Sequence, residues 1–507
     1  MFTESIFIKL LLKLNEVFKD SMFYKTLIKI LGFFYYAIIN SFLFTPFRKR
    51  EKKDYTESSI FYSAINSVLN FFYLPLKRFY YFVRRVSEGS ITKKICDLGQ
   101  TSVILKPEIL CGLLIMLMFI VPHERWNNIY ALGVLFLVFL VFLFQSFKDQ
   151  DSRADVKSIH PAFFIFMVSS IGGVLFSFDV KDSIRIYIFY LISFLFAIIL
   201  SYLLSSIGRI NKFVGVIYLA LIITSLFAIY QGIVGVEVDV TLTDMEVNEG
   251  MPGRVYSTFG NPNNYAEFII MFTPFAAAYA LNQKGAKRIL TLLALFLPVY
   301  ALVLTYSRSG WLAFIFAAGL FILMYDYKLS IYLVLFGLAC LPFLPDTVLA
   351  RFKTIGDMRD SSNAYRPYIW EGVINMLKSF PITGTGIGPG SFQSIYPSFA
   401  NPLALTAPHS HMLFLQVWVE CGIVGLISFL ALIINTVKKA YRYIFVVKNQ
   451  EIKNMVAASI SAIGGIMLMS VAEYPWFYPR VMFAFFIMLG MIFAVLKLAK
   501  NEAAIRE

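Results

Sequence analysis

The sequence predicts an all-α polytopic membrane protein with about 12 transmembrane helices. Hydrophobic residues make up 58% of the 507-residue chain, and its mean hydropathy is +0.70. Apolar runs of about 20 residues recur along the chain, and each is long enough to cross the hydrocarbon of a bilayer as a helix. The runs are continuous and lack the period-2 alternation of a transmembrane β-barrel, so helices are favoured.

Residues 1–106 differ from the rest of the chain because short apolar stretches alternate with lysines and arginines, as in the cluster Arg48-Lys49-Arg50. This composition predicts amphipathic helices that contact the anionic lipids of the cytoplasmic membrane face. Residues 30–47 are apolar enough to enter or cross the bilayer. We therefore expect a basic amphipathic N-terminal segment, 1–106, followed by a transmembrane domain, 107–507.

The approximate bounds of the twelve expected spans are 108–122, 127–147, 160–178, 187–206, 213–236, 265–282, 289–306, 311–325, 329–344, 413–435, 455–472 and 481–498. The strongly basic short connections then fall on one side of the membrane, which the positive-inside rule makes cytoplasmic. Both chain ends are expected on that side, and the long loop 345–411 is expected outside the cytoplasm. The formal net charge of +14 is therefore interpreted as an orientation signal, and no nucleic-acid partner is expected.

Two arginines near the outer boundary are candidate anion ligands. Arg308 interrupts an apolar stretch, and Arg366 lies in the long loop. A guanidinium group suits phosphate because it can donate two parallel hydrogen bonds. The alternatives are that Arg308 extends to lipid headgroups, and that Arg366 is solvated or paired with Glu371.

His411 is the strongest candidate for a catalytic base. The chain has only 4 histidines, and two of them, His409 and His411, stand where the long loop meets a span. His409 is a candidate for substrate binding. Histidine exchanges a proton near neutral pH, as a general base must. Because no third ligand follows at a plausible spacing, no metal site is expected.

Two further segments are candidates for substrate binding. The run from Gly384 to Gly390 is not a phosphate-binding P-loop, since no Lys-Ser or Lys-Thr follows it. Gly386 and Gly388 could form turns or allow the backbone to approach a ligand closely. In the outer turn before the sixth span, Arg254 and Asn261 could reach a sugar or phosphate, although a purely structural turn is the alternative.

Four blocks of this sequence, in order, resemble the O-antigen ligase and O-antigen polymerase superfamily of bacterial membrane proteins. The blocks are Gly260-Asn261-Pro262-Asn263, Thr305-Tyr306-Ser307-Arg308-Ser309-Gly310, residues 366–390, and His411-Met412-Leu413-Phe414-Leu415-Gln416 followed by Glu420 and Gly422. The resemblance covers about residues 108–498. The family usually has Asn directly after the last histidine, where this chain has Met412.

The resemblance implies a metal-independent glycosyltransferase without cofactors in the bacterial cytoplasmic membrane, with its active site facing outward. Its donor would be a glycan linked to undecaprenyl pyrophosphate, which arrives already activated on a side without a reliable ATP supply. By motif position, Arg308 and Arg366 would bind the pyrophosphate, and His411 would activate the acceptor hydroxyl. The acceptor stays open between a glycan, a lipid and a protein. The alternatives to an enzyme are a transporter of a polysaccharide precursor or small anion, and a non-catalytic membrane scaffold.

Overall fold

A computed structural model describes residues 6–40, 59–87, 106–147, 155–239, 247–248 and 250–504, and these ranges contain helices and no strands. The basic cluster at residues 48–50 lies outside the described residues. The α-helices are α1 (Ile6–Asp20), α2 (Met22–Asn40), α3 (Ile60–Val86), α4 (Pro107–Ile120), α5 (Tyr130–Phe147), α6 (Pro161–Leu175), α7 (Val180–Leu203), α8 (Ile207–Val234), α9 (Pro262–Asn282), α10 (Gly285–Ala294), α11 (Phe296–Leu304), α12 (Arg308–Asp326), α13 (Ser330–Cys340), α14 (Asp346–Lys353), α15 (Ser361–Ser379), α16 (Pro389–Ile395), α17 (Leu413–Val446), α18 (Gln450–Met469) and α19 (Pro479–Ala504).

The predicted fold class is confirmed, since each of the twelve expected spans contains a helix. By length and composition, 8 helical runs among the described residues could cross a membrane: Tyr130–Phe147, Val180–Leu203, Ile207–Val234, Gly285–Leu304, Arg308–Ala339, Leu413–Val446, Gln450–Met469 and Pro479–Ala504. Helices α4 and α6 are shorter and apolar. Helix α9 has 21 residues and is buried along most of its length.

Three segments depart in detail from the expected spans. The seventh span is divided into α10 and α11 at Leu295, and the ninth contains only the 11-residue α13 followed by a 3-10 turn. The long loop is largely helical, because α14, α15 and α16 occupy much of it. The chain does return along α13, since Arg351 Nε donates to the carbonyl oxygen of Tyr306 (3.4 Å) beside the start of α12.

Small residues allow the central helices to approach closely. A Cβ atom added to Gly490 of α19 would lie 2.8 Å from the Cα atom of Ala197 in α7. A Cβ atom added to Gly465 of α18 would lie 2.8 Å from the side chains of both Ala317 in α12 and Ile270 in α9. Because lipid is as apolar as the helices, close van der Waals packing of this kind stabilises a membrane bundle.

Polar contacts between the connections occur at both ends of the bundle. We call the end that carries residues 345–411 the loop end; there, Arg480 Nη1 of α19 donates to the carbonyl oxygens of Val121 (3.0 Å) and Thr258 (2.7 Å). At the opposite, basic end, Lys212 Nζ donates to Glu108 Oε1 (2.9 Å). This division groups the connections as the sequence predicts.

Helix α17 is broken at Gly422, where a segment of the long loop crosses it. Gly422 has φ 67° and ψ −176°, a conformation that is accessible essentially to glycine alone. The N–H of Ile423 donates to the carbonyl oxygen of Pro381 (3.1 Å), and the N–H of Thr385 donates to that of Val419 (2.7 Å). The break therefore anchors the loop to the start of α17, next to the histidine pair.

We predict that Gly422→Ala lowers the free energy of unfolding by at least about 2 kcal/mol. The added methyl group would overlap the carbonyl oxygen of Ile382 in a backbone conformation that alanine disfavours. The matched control is Gly319→Ala in α12, where a Cβ atom meets nothing within 4 Å; this change should be neutral or stabilising. Thermal unfolding of the purified proteins in detergent checks both, and equal melting temperatures for the two variants would contradict the assigned strain.

Candidate active site

Arg308 lies at the first position of α12 and is covered by the long loop. Ser307 caps this helix by accepting the N–H of Gly310 (3.2 Å). The Nη1 atom of Arg308 donates to the carbonyl oxygen of Thr354 (2.7 Å) and lies 3.0 Å from Oδ2 of Asp360. Its side chain is only 10% exposed, so the structure favours a protein-facing guanidinium over one extended to lipid headgroups.

Arg366 lies within α15 rather than in an extended loop. Its Nη2 atom is 2.9 Å from Oε1 of Glu473, in the connection between α18 and α19. The alternative pairing with Glu371 is wrong, because Arg366 pairs with Glu473; the Glu371 carboxylate accepts a hydrogen bond from Asn401 Nδ2 (2.7 Å) instead. Arg366 is therefore tied to a residue 107 positions away in the sequence.

Arg254 and Asn261 are both engaged by the protein at the loop end. Arg254 donates from Nε to the carbonyl oxygen of Thr305 (2.9 Å) and from Nη2 to Asn263 Oδ1 (2.8 Å). Desolvation, followed by the nearby charge of Arg351, lowers the pKa of Arg254 to about 9. The Asn261 side chain caps α9 by accepting from the N–H groups of Asn263 and Asn264. Asn261 thus has a structural role here, and its binding of substrate stays a prediction.

Three further residues of the site, Arg351, Asp360 and Glu473, were not predicted from the sequence as members of it. Arg351 is buried; its Nη1 donates to Asn248 Oδ1 (2.5 Å) and lies 3.3 Å from Asp360 Oδ2. We call the following residues the arginine cluster: Arg254, Arg308, Arg351, Arg366, Asp360 and Glu473. Four guanidinium groups against two carboxylates leave a formal excess of two positive charges, which suits a multivalent anion.

The two histidines contact each other directly before α17. The N–H of His411 donates to His409 Nδ1 (3.0 Å), and the ring centroids are 4.2 Å apart. His411 has φ 51°, an uncommon conformation for a residue other than glycine. The His409 ring also packs against Phe477, with 4.6 Å between centroids. His409 therefore supports the main chain that presents His411.

A buried carboxylate stabilises the segment that carries the histidines. Gln416 accepts from the N–H of Ser410 (2.9 Å) and donates from Nε2 to Glu420 Oε1 (3.1 Å). The hydroxyl of Tyr474 also donates to Glu420 Oε1 (2.8 Å). These contacts give Glu420 a structural role: it holds the segment just before α17, which begins at Leu413.

The environment of His411 favours its neutral form. Burial lowers its pKa; the nearby carboxylate of Glu473 raises it, and the positive charge of Arg366 lowers it, with a net shift below the ordinary value of 6.5. Burial also lowers the pKa of His409, and the neighbouring His411 and Arg366 add to this shift. A neutral imidazole at pH 7 has a nitrogen lone pair that can accept a proton.

The glycine run approaches the protein's own backbone at the start of α7. A Cβ atom on Gly386 would lie 2.6 Å from the Cα atom of Ser177, and one on Gly388 would lie 2.9 Å from Asp182 Oδ2. The N–H of Gly390 donates to the same Asp182 oxygen (2.9 Å). These contacts support turn formation, and binding of substrate by Gly386 and Gly388 stays a prediction.

Among the described residues, no group of three or more His, Cys, Asp or Glu side chains is arranged to hold a metal ion. The positive charges nearest the histidines belong to the arginine cluster. The arrangement can therefore bind an anion at the guanidinium groups and accept a proton at His411.

Part of this site lies in a region that is similar to known proteins. Residues 293–430 match the O-antigen ligase family model. A Rickettsia conorii protein named as a polysaccharide ligase is 28% identical over 221 residues, 41% of this chain and 51% of the relative. The ComP-specific O-oligosaccharyltransferase of Acinetobacter baylyi is 24% identical over 222 residues, 41% of this chain and 39% of the relative. The chain thus spans about half or less of the length of the curated relatives it matches. Residues 293–430 are therefore similar to the O-antigen ligase family, and this likeness covers part of the chain.

Proposed function

We propose that the protein transfers or polymerises a glycan from an undecaprenyl-pyrophosphate donor onto an acceptor hydroxyl in cell-surface polysaccharide assembly. The reaction takes place at the outer face of the bacterial cytoplasmic membrane. The observation that carries the proposal is the meeting of Arg308, Arg366 and His411 at one end of the bundle, although the sequence separates them by up to about 100 residues. The family match and the two kinds of named relative support glycan transfer.

The arginine cluster binds the diphosphate of the donor. In the structure, the carboxylates of Asp360 and Glu473 occupy positions beside Arg308 and Arg366. A diphosphate offers more oxygen atoms and more negative charge than one carboxylate, so it competes well for the same guanidinium groups. As the bond between the anomeric carbon and the phosphate oxygen breaks, both electrons pass to the leaving pyrophosphate. The guanidinium groups stabilise that developing charge without a metal ion.

His411 removes the proton from the acceptor hydroxyl while its oxygen attacks the anomeric carbon. The lowered pKa keeps the ring neutral before this step, and the excess positive charge of the cluster favours deprotonation of the hydroxyl. His409 positions His411 through the hydrogen bond to its main-chain N–H. The acceptor class remains a glycan, a lipid or a protein; the relatives include proteins named for polysaccharide ligation and for transfer to ComP.

We predict that His411→Ala lowers turnover by about 100- to 10,000-fold, because the acceptor loses its general base. Purified protein reconstituted with a lipid-linked glycan and an acceptor provides the assay, with glycosylated product and released undecaprenyl pyrophosphate as readouts. His409→Ala should reduce turnover less, since this residue acts through the position of its neighbour. Near-normal turnover by a folded His411→Ala protein would contradict the assignment of His411 as the general base. A larger loss for His409→Ala would assign that role to His409.

We predict that Arg308→Lys reduces turnover by about 10- to 1,000-fold although the charge is retained. Lysine can still pair with Asp360, but it is a point charge and cannot donate the paired hydrogen bonds of a guanidinium group. The matched control is Arg359→Lys in the same loop, where the side chain is 85% exposed and pairs with Asp357. This variant should turn over like the wild type. Equal activity of the two variants would contradict diphosphate binding by Arg308.

We predict that the loop end faces outward and the basic end faces the cytoplasm. Single cysteines at Leu405 and Lys284, both exposed, can be introduced after the four native cysteines are replaced by alanine. A membrane-impermeant thiol reagent on intact cells should label Leu405→Cys and spare Lys284→Cys. Both should label after the cells are opened. Labelling of Lys284→Cys alone in intact cells would show that the protein has the opposite orientation. The loop end would then face the cytoplasm and its nucleotide donors.

A further inference from the structure

Helix α3 lies across the basic end of the bundle rather than along it. The hydroxyl of Tyr62 donates to the carbonyl oxygen of Ile159 (2.7 Å), and that of Tyr81 donates to the carbonyl oxygen of Phe147 (2.7 Å). Phe147 is the last residue of α5 and Ile159 lies just before α6, so both acceptors are at the basic end. Nineteen residues of helix span about 28 Å, so α3 extends from the end of α5 to the start of α6, roughly in the plane of the membrane surface.

The surface of α3 is divided into three sectors. At about 100° per residue, the side that contacts the bundle carries Tyr62, Tyr73 and Lys77, which are all buried. A second sector is apolar and solvent-exposed in the structure, and its members include Phe61, Val68, Phe71, Phe72, Phe79 and Phe82. The third sector is exposed and polar, with Ser63, Ser67, Arg78 and Arg85. Isolated exposed apolar residues are common, but a contiguous apolar stripe of this length marks an interaction surface.

The side of α3 that faces the bundle contacts an exposed side of a membrane span, beside the apolar sector. Tyr73 of α3 packs with Leu143 and Phe147 of α5. Tyr80 contacts the ring of Phe144, with 5.6 Å between centroids, and Phe144 is 55% exposed on the outer side of α5. Since α5 crosses the bilayer with this side away from the bundle, hydrocarbon that covers Phe144 extends to the edge of α3.

We propose that α3 is an in-plane anchor that inserts its phenylalanine sector into one leaflet and binds anionic lipid headgroups through Arg78 and Arg85. The two arginines are seven residues apart and therefore lie on the same side of the helix, at the boundary of the apolar sector. A long basic side chain in that position can extend its guanidinium group to lipid phosphates. The partner is an anionic membrane surface, and this proposal is independent of the transfer reaction.

Spin labels on the full chain test the insertion. In a cysteine-free background reconstituted in nanodiscs that contain phosphatidylglycerol, labels are placed at Phe72 and Phe79 in the apolar sector, and at Ser67 and Arg85 in the polar sector. Collision with oxygen reports hydrocarbon, and collision with a nickel chelate reports water. The ratio of oxygen to nickel accessibility should be several times higher at the first two positions. Equally low ratios at all four positions would show that α3 lies in water. Strong spin coupling between molecules labelled at Phe72 would show a contact between two copies. Either result overturns the proposal.

The charge requirement is tested separately with the label at Phe72. Replacing phosphatidylglycerol by phosphatidylcholine should lower the accessibility ratio in the otherwise unchanged chain. The variant R78Q/R85Q should show the lower ratio in both lipids. The matched control K284Q/R288Q removes two exposed charges from the same end of the bundle and should keep the lipid dependence. If R78Q/R85Q also keeps it, these arginines do not bind the anionic headgroups.

Discussion

The candidate site depends on the hydrogen bonds that the carboxylate of Glu473 accepts. Its Oε1 atom accepts hydrogen bonds from Arg366 (2.9 Å), Asn263 (3.1 Å) and Ser309 (3.4 Å). These three residues begin or belong to different helices, so one oxygen atom joins the starts of α9 and α12 to α15 of the long loop. A largely buried carboxylate is stable only with such partners. The same charge acts on His411, so the base and the anion-binding groups share one electrostatic environment.

The site is assembled before any donor arrives, and protein carboxylates compensate part of its positive charge. Asp360 lies between Arg308 and Arg351, much as Glu473 lies beside Arg366. Preorganised guanidinium groups need little rearrangement when charge develops on a leaving group, which is the main advantage of a fixed site over solvent. The break at Gly422 and the hydrogen bonds of Glu420 hold the histidine segment. The fold therefore positions the arginine cluster, whose charge is partly compensated by carboxylates, and a neutral base within reach of the same charges.

The spans could be predicted from the sequence because each depends on local information. A membrane helix satisfies its own backbone hydrogen bonds, so an apolar run is sufficient to place it. His411 could be selected as a candidate from the sequence because the chain has only 4 histidines and two of them stand at a span boundary. The pairing of charges was not predictable, since Arg366 meets Glu473 across 107 residues and not its neighbour Glu371. The pairing of Asp360 with Arg308 and Arg351 could not be predicted for a related reason. The adjacent cation, Arg359, pairs with Asp357 (2.7 Å) and not with Asp360.

A cryo-EM structure of the full chain in nanodiscs, with an undecaprenyl-pyrophosphate-linked glycan and no acceptor, tests the diphosphate site most directly. Phosphate oxygens should lie within hydrogen-bond distance of the guanidinium groups of both Arg308 and Arg366. The anomeric carbon of the first sugar should face His411, and at least one carboxylate of the cluster should have moved away from its arginine. A diphosphate bound at the basic end, or out of reach of both arginines, would contradict the proposed site.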